Sequence, residues 1–343
     1  MATATQLSYQ TQERMIRCPR CKGALAWTPT TVVCNPCRKT YQIKTGERPI
    51  FSMFIDEHAN EVGRDAGQVW DLKSFEEAYQ TIGYHEEGAE FEKQLGWPPE
   101  VSRFHYERVK QRLMNWVRPG PGHSILDVGC GAGYFLCLIR DIYRKQGHEP
   151  HLSGIDISTA QLSYMARRMV KEGVQDANIV HANSEYLPFA DRSFDLVTCS
   201  EVIEHVRNPE RALSEMQRVL KPTGQVLVST PSMTAEKGWN ILLGPVAAMV
   251  KLLKGYQSER VKVDAGYDVP WYPSDLKRAF ESARLEIESF EQNGIIPHSH
   301  YFKFLPTSLV KPVVGACEFA DTYLYPVLKP LGWHLLVRAR RKG

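Results

Sequence analysis

Four cysteines near the start of the chain fall in two pairs, Cys18-Pro-Arg-Cys21 and Cys34-Asn-Pro-Cys37. Two Cys-x-x-Cys knuckles place four thiolates at the corners of a tetrahedron, a donor set that suits Zn2+. Four sulfurs close the coordination shell and leave no open position for a substrate, so the expected work of this site is structural. A second set begins at Asp127 and runs through Gly129-Cys130-Gly131-Ala132-Gly133. Glycines at such a turn let the backbone reverse sharply and approach a ligand without a Cβ clash. The spacing is G-x-G-x-G, not the dinucleotide G-x-G-x-x-G, which disfavours a nicotinamide cofactor. About twenty residues further on stands Asp156, where a carboxylate can accept hydrogen bonds from both hydroxyls of a ribose. Ser158 is the better N-cap for the helix that follows, which leaves Asp156 for the sugar. The run Ser200-Glu201-Val-Ile-Glu204-His205 then supplies a general-base candidate in His205, whose ordinary pKa lies near neutrality. Glu201, Glu204 and His205 are also three candidate ligands for a divalent cation on one helical turn. The alternative is that Glu204 and His205 only brace a short helix.

The elements that must hold these residues alternate. Strand-like apolar runs are expected at 124–128, 152–155, 178–181, 194–199 and 224–229, separated by helical segments at 134–146, 158–173 and 209–220. Strands interleaved with helices imply a mostly parallel sheet covered on both faces, an α/β doubly wound architecture. Such sheets bind ligands at the carboxyl ends of their strands, near the point where strand order reverses. The glycine turn, Asp156, Asn183 and the run Ser200 to His205 each follow a strand.

With these motifs together, the chain resembles the class I S-adenosylmethionine-dependent methyltransferases, and within them the branch of the ubiquinone-biosynthesis O-methyltransferases. The resemblance covers roughly residues 100–230 and the terminal strands. It implies a Rossmann-like seven-stranded sheet with the last strand antiparallel. It further implies Asp127, Gly129 and Gly131 at the methionine end of the cofactor, and Asp156 and Ile157 at the ribose and adenine. Asn183 and Ser184 would meet the adenine edge, where many relatives carry Asp in place of Asn183, and Ser200 and Glu201 would lie near the sulfonium. His205, with Glu204, takes the catalytic place, and Mg2+ is the cation implied for Glu201, Glu204 and His205. The cysteine module resembles the zinc ribbon of Trm112-like proteins, down to its ending Gly46-Glu-Arg-Pro-Ile-Phe51.

Three parts follow: a zinc ribbon over 14–55, a linker with helical cover over 56–99, and a methyltransferase domain over 100–343. That domain carries insertions at about 232–272 and 292–331. Both insertions are rich in aliphatic and aromatic residues, and the first holds the apolar run from Trp239 to Lys254. Such segments suit a chamber for an apolar or lipid-like acceptor, contact with a membrane surface, or the interface of a homodimer. His298 and His300 in the second are further base candidates. Lys and Arg total 42 against 39 Asp and Glu, a net charge of +3. That is a weak electrostatic footprint for nucleic acid. An RNA methyltransferase gripping its substrate through the basic ribbon (Arg14, Arg17, Arg20, Lys22, Arg38, Lys39) is therefore the rival reading. The polar N-terminus and the absence of a run long enough to span a bilayer lead to the expectation of a cytoplasmic protein, peripheral to a membrane if attached to one.

Overall fold

The computed structural model describes residues 15–54, 98–174, 176–254, 270–297, 299–302 and 305–343. The expected helical cover over 56–99 therefore lies almost wholly outside the described residues, as does His298.

The centre of the fold is β5 (Ser124–Val128), whose five residues are all buried. A strand covered on both faces buries both sets of alternating side chains, so Ile125, Leu126 and Val128 are apolar without alternation, and the buried Ser124 and Asp127 need hydrogen-bond partners. Parallel neighbours flank it: β6 (His151–Asp156) and β7 (Ala177–His181) on one side, β8 (Phe194–Ser200) and β9 (Leu220–Pro231) on the other. Then come β11 (His334–Arg341), antiparallel to both its neighbours, and β10 (Leu285–Asn293) at the edge. The order β7-β6-β5-β8-β9-β11-β10 is the seven-stranded Rossmann-like sheet expected, and it reverses direction of progress at β5 and β8.

Side-chain alternation sorts the two faces. Leu196, Leu227 and Leu336 enter one core with helices α1 (Pro99–Trp116), α2 (Tyr134–Lys145) and α3 (Thr159–Lys171). Val197, Val226, Val228, Leu335 and Val337 enter the other, with α4 (Pro209–Val219) and α6 (Pro273–Ser282). Ser158 caps α3 as expected, its hydroxyl accepting from the Gln161 N–H at 3.3 Å.

The cysteine module is not a separate bead. Its strands β1 (Leu25–Trp27), β2 (Thr31–Cys34), β3 (Thr40–Lys44) and β4 (Ile50–Ser52) extend the same sheet to eleven strands. The junction is a parallel pairing of Ile50, Phe51 and Ser52 with Ile179, Val180 and His181. Tyr41, Ile43, Phe51 and Met53 share one core with Leu187, Phe189 and Met216. Lys22 adds a bond across the seam, donating to Glu215 Oε2 at 2.7 Å and to the Leu187 carbonyl at 3.2 Å.

Most of the described residues of both insertions are helical. The first gives α5 (Met233–Lys254), and the second gives α7 (Ser299–Phe302), α8 (Thr307–Tyr323) and α9 (Tyr325–Leu328). They meet at Trp239, whose ring N–H donates to the Leu331 carbonyl, and at Tyr301, whose hydroxyl donates to Asn240. Val310 and Val314 of α8, with Ile296 and Phe302, bury against Val101 and Phe104 of α1. Ile241, Leu242, Phe319, Tyr323 and Val327 remain exposed. No helix among the described residues is long and apolar enough to cross a membrane.

Candidate functional site

The sulfur atoms of Cys18, Cys21, Cys34 and Cys37 lie within 4.8 Å of one another. Cys18 and Cys37 stand 3.6 Å apart and Cys21 and Cys34 3.4 Å, far beyond a disulfide bond and close to the sulfur separations of a tetrahedral metal site. Burial pushes the Cys34 thiol up to about 12, so a bare thiolate there is costly and a cation is what would hold it ionised. Tyr41 places its hydroxyl 3.1 Å from Cys18 Sγ, an outer-shell donor that sequence spacing did not reveal. The donor set thus fits a metal of the zinc type. Among the described residues it is the only group of His, Cys, Asp and Glu side chains close enough to hold one.

The second site forms at the carboxyl ends of β5, β6, β7 and β8. Gly129, at φ +72°, accepts a conformation other residues resist, and a Cβ there would stand 2.3 Å from Val202 Cγ2. Gly129→Ala is therefore expected to destabilise the fold by about 2 kcal/mol, read from urea unfolding, as strain and overpacking combine. An unchanged midpoint would show that the turn is not held this tightly. The N–H groups of Gly129 and Cys130 both donate to the Ile155 carbonyl at 2.9 Å, which fixes the turn against the end of β6. Asp156 completes the brace: Oδ2 accepts from Gly131 N–H and Oδ1 from Ser158 N–H, both at 2.8 Å. Burial raises its pKa, opposed by these backbone bonds. Each carboxylate oxygen has a second lone pair, so the brace is compatible with accepting ribose hydroxyls.

Asp127 lies deeper. Its Oδ1 accepts from the Thr198 hydroxyl at 2.6 Å, and burial pushes its pKa up to about 7 in spite of that bond. Ile157 is half-buried at the end of β6. Asn183 caps the short 3-10 turn Ser184–Tyr186, its side-chain oxygen accepting from the Glu185 N–H, and Ser184 is buried in that turn. This turn follows His181, which pairs in register with Asp156. His181 is stacked on Phe54, ring centroids 5.1 Å apart, and burial pulls its pKa down to about 4, so it is neutral at pH 7. The end of the cysteine module thereby reaches the strand adjacent to Asp156.

The run Ser200 to His205 departs from the expected single helical turn. Glu201 has φ +55° and precedes the 3-10 turn Ile203–His205. The positive φ turns the chain between Glu201 and Glu204, so their side chains diverge. Glu201 Oε2 meets His334 Nδ1 at 3.2 Å, while the buried Glu204 accepts from the Thr230 hydroxyl at 2.9 Å. His205 Nε2 stands 3.9 Å from Glu204 Oε1. The Ser200 hydroxyl meets that of Ser229 at 2.8 Å. Burial raises the pKa of Glu201, but the adjacent His334 and the Ser229 hydroxyl more than reverse this, and the net shift is downward.

His334 was missed from sequence, although a signal existed. It opens the last strand, and the start of an antiparallel strand lies at the carboxyl edge of its parallel neighbours. It stands opposite Pro231, the last residue of β9. His298 lies outside the described residues, and His300 falls in α7.

Residues 126–228 match the methyltransferase-domain family. The demethylmenaquinone methyltransferase of Listeria monocytogenes serotype 4a is 32% identical over 131 residues, 38% of this chain and 54% of that protein. The ubiquinone/menaquinone biosynthesis C-methyltransferase UbiE of Brucella canis is 37% identical over 121 residues, 34% of this chain and 44% of that protein. The chain thus spans about half the length of the curated relatives it matches. A solved structure of geranyl diphosphate C-methyltransferase from Streptomyces coelicolor A3(2) superposes with a TM-score of 0.47 at 18% identity, over 68% of this chain and 76% of that one. The glycine turn, Asp156 and the Ser200 to Ile203 segment lie inside the matched stretch, and the chain carries an S-adenosylmethionine-dependent methyltransferase domain.

Proposed function

We propose that the protein transfers a methyl group from S-adenosylmethionine to a small apolar or lipid-like acceptor, with oxygen as the accepting atom. The observation that carries this reading is the Asp156 carboxylate, braced by Gly131 and Ser158 beside the glycine turn where strand order reverses. Asp127, Gly129 and Gly131 are assigned to the methionine end, and Asp156 to the ribose. Ile157, Asn183 and Ser184 are assigned to the adenine, and Ser200 and Glu201 to the sulfonium side. When bound, the cofactor supplies an electrophilic methyl group. The chain's own tasks are to align a nucleophile with it and to take the nucleophile's proton. His205 is assigned that proton, with its Nε2 3.9 Å from Glu204 Oε1. His205→Ala is expected to lower turnover about 100-fold while S-adenosylhomocysteine affinity is kept. Wild-type turnover would reduce His205 to a brace.

The Brucella canis relative in quinone biosynthesis is named for transfer to carbon. An ionised ring hydroxyl makes both its own oxygen and the adjacent ring carbon nucleophilic, so the same proton removal serves either atom. Carbon–proton correlation spectra of a 13C-methyl product separate the two. Zn2+ is assigned to the four cysteines. The Mg2+ implied by resemblance would need Glu201, Glu204 and His205 to converge, whereas Glu201 turns to His334 and Glu204 to Thr230. Exposed apolar residues of α5 and α8 support contact with a membrane surface or with a second copy of the chain. The rival RNA reading loses one phosphate ligand, because Lys22 is engaged by Glu215. The deciding experiment follows labelled methyl transfer into lipid, small-molecule and RNA fractions of an extract. Label in the lipid or small-molecule fraction is expected, and label in RNA alone would overturn the reading.

A further inference from the structure

On one face of the sheet the apolar residues give way to polar ones toward the carboxyl edge. Leu196 is followed on that face by Thr198 and Ser200, Leu227 by Ser229, and Leu336 is preceded by His334. Alternation along each strand puts these side chains on the α1 side. The row continues onto the edge strand, because Asn293 is the register partner of His334, and directly opposed residues share a face. Glu201 joins it through His334. Asn293 is 1% exposed, and neither its side-chain oxygen nor its nitrogen has a hydrogen-bond partner; Glu201 Oε1 is likewise buried without one. Buried polar atoms left so are rare, because each forfeits its hydration.

Apolar residues of the second insertion adjoin the row. The chain leaves β10 at Asn293 and runs into Gly294 and Ile295, whose N–H groups both donate to the buried Asp321 of α8 at 3.1 Å. Ile296, Phe302, Val310 and Val314 follow, packed on Val101 and Phe104. A packed apolar cluster thus begins just beyond Asn293, on the chain that leaves the end of the row where the unpartnered Asn293 amide lies.

We propose that Asn293, His334 and Glu201 form the polar subsite for the methyl acceptor, and that it selects an uncharged group able to donate a hydrogen bond, such as a hydroxyl, on an otherwise apolar body. This rests on the proposed methyltransferase reading and adds the acceptor's chemistry to it. Glu201 Oε1 can only accept from such a group, whereas the Asn293 amide can accept from it or donate to it. A carboxylate or phosphate on the ligand would meet the Glu201 carboxylate and be repelled. His334 acts through Glu201, holding that carboxylate in place by its Nδ1 contact, and is a positioning residue.

The test measures affinities of the full chain, saturated with S-adenosylhomocysteine, for 1-naphthol, naphthalene and 1-naphthoate by fluorescence titration. These probes share one apolar body. 1-Naphthol is expected to bind about tenfold or more tighter than naphthalene, and 1-naphthoate no tighter than naphthalene. Asn293→Leu is expected to bring the naphthol-to-naphthalene ratio near one while affinity for S-adenosylhomocysteine is kept. Should that variant not fold, Asn293→Ala and His334→Gln are read the same way. A purely structural Asn293 would change stability without changing the ratio. Equal binding of naphthol and naphthalene, absence of saturable binding by both, or a ratio unmoved in every folded variant overturns the proposal. Failure of the methyltransferase reading shows separately, as absence of S-adenosylhomocysteine binding to the wild-type chain.

Discussion

Asp156→Ala is expected to weaken binding of S-adenosylhomocysteine roughly 100-fold, measured by calorimetry at neutral pH. Hydrogen bonds to a charged group contribute about 1.5–3 kcal/mol each, and two ribose hydroxyls meet this carboxylate in the proposed complex. The side chain also braces the glycine turn through Gly131 and the start of α3 through Ser158. Truncation therefore acts twice, once on the ligand and once on the loop that receives it. Asp156→Asn separates the two. It keeps an oxygen that can accept from one of the two backbone N–H groups but lacks the charge, so the fold should lose less stability than in Asp156→Ala with affinity still reduced. Unchanged affinity in Asp156→Ala would remove the ribose assignment. Loss of affinity that follows only the loss of thermal stability would make Asp156 a structural brace.

Removal of metal by a chelator is expected to lower the main unfolding temperature by about 10 °C or more, in a single transition. A free-standing ribbon would melt by itself and leave the large sheet untouched. Here Ile50, Phe51 and Ser52 pair with β7, and Tyr41, Ile43 and Met53 lie in the core that also holds Phe189 and Met216. Structural zinc in small modules contributes on the order of 10 kcal/mol to folding, and a few kcal/mol felt by the whole domain suffices for such a shift. Cys34→Ser should act in the same direction, since Cys34 is the buried end of β2. The consequence extends to the ligand site, because Phe54 leaves β4 to stack on His181 next to Asp156. Weaker S-adenosylhomocysteine binding after chelation is the expected second readout. Two separate transitions, with the larger unmoved by chelator, would show that the seam between β4 and β7 does not couple the two parts.

Much of this was written in local patterns. The two Cys-x-x-Cys knuckles, the glycine turn, the acid about twenty residues later and the strand–helix alternation are short-range features, set by spacing and turn chemistry. They determined the sheet, its order of use and the placement of Asp127, Gly129, Gly131, Asp156 and Ser158. The departures are all cases in which a distant segment decided. Glu201, Glu204 and His205 look like one helical face in the sequence. A left-handed residue at Glu201 and partners on β9 and β11 pull them apart. The cysteine module reads as an independent unit, yet an exposed edge at β7 and an unpaired strand at Ile50–Ser52 satisfy one another's backbone groups and fuse two parts into one sheet. His334 and Asn293 carry no motif at all. His334 meets Glu201, and Asn293 pairs with His334, only because an antiparallel closing strand brings its first residue back to the carboxyl edge. Local spacing determined the turn proposed to receive the methyl donor. What is proposed to face the acceptor was decided by tertiary structure, because those residues lie 92 and 41 positions apart along the chain, from Glu201 to Asn293 and from Asn293 to His334.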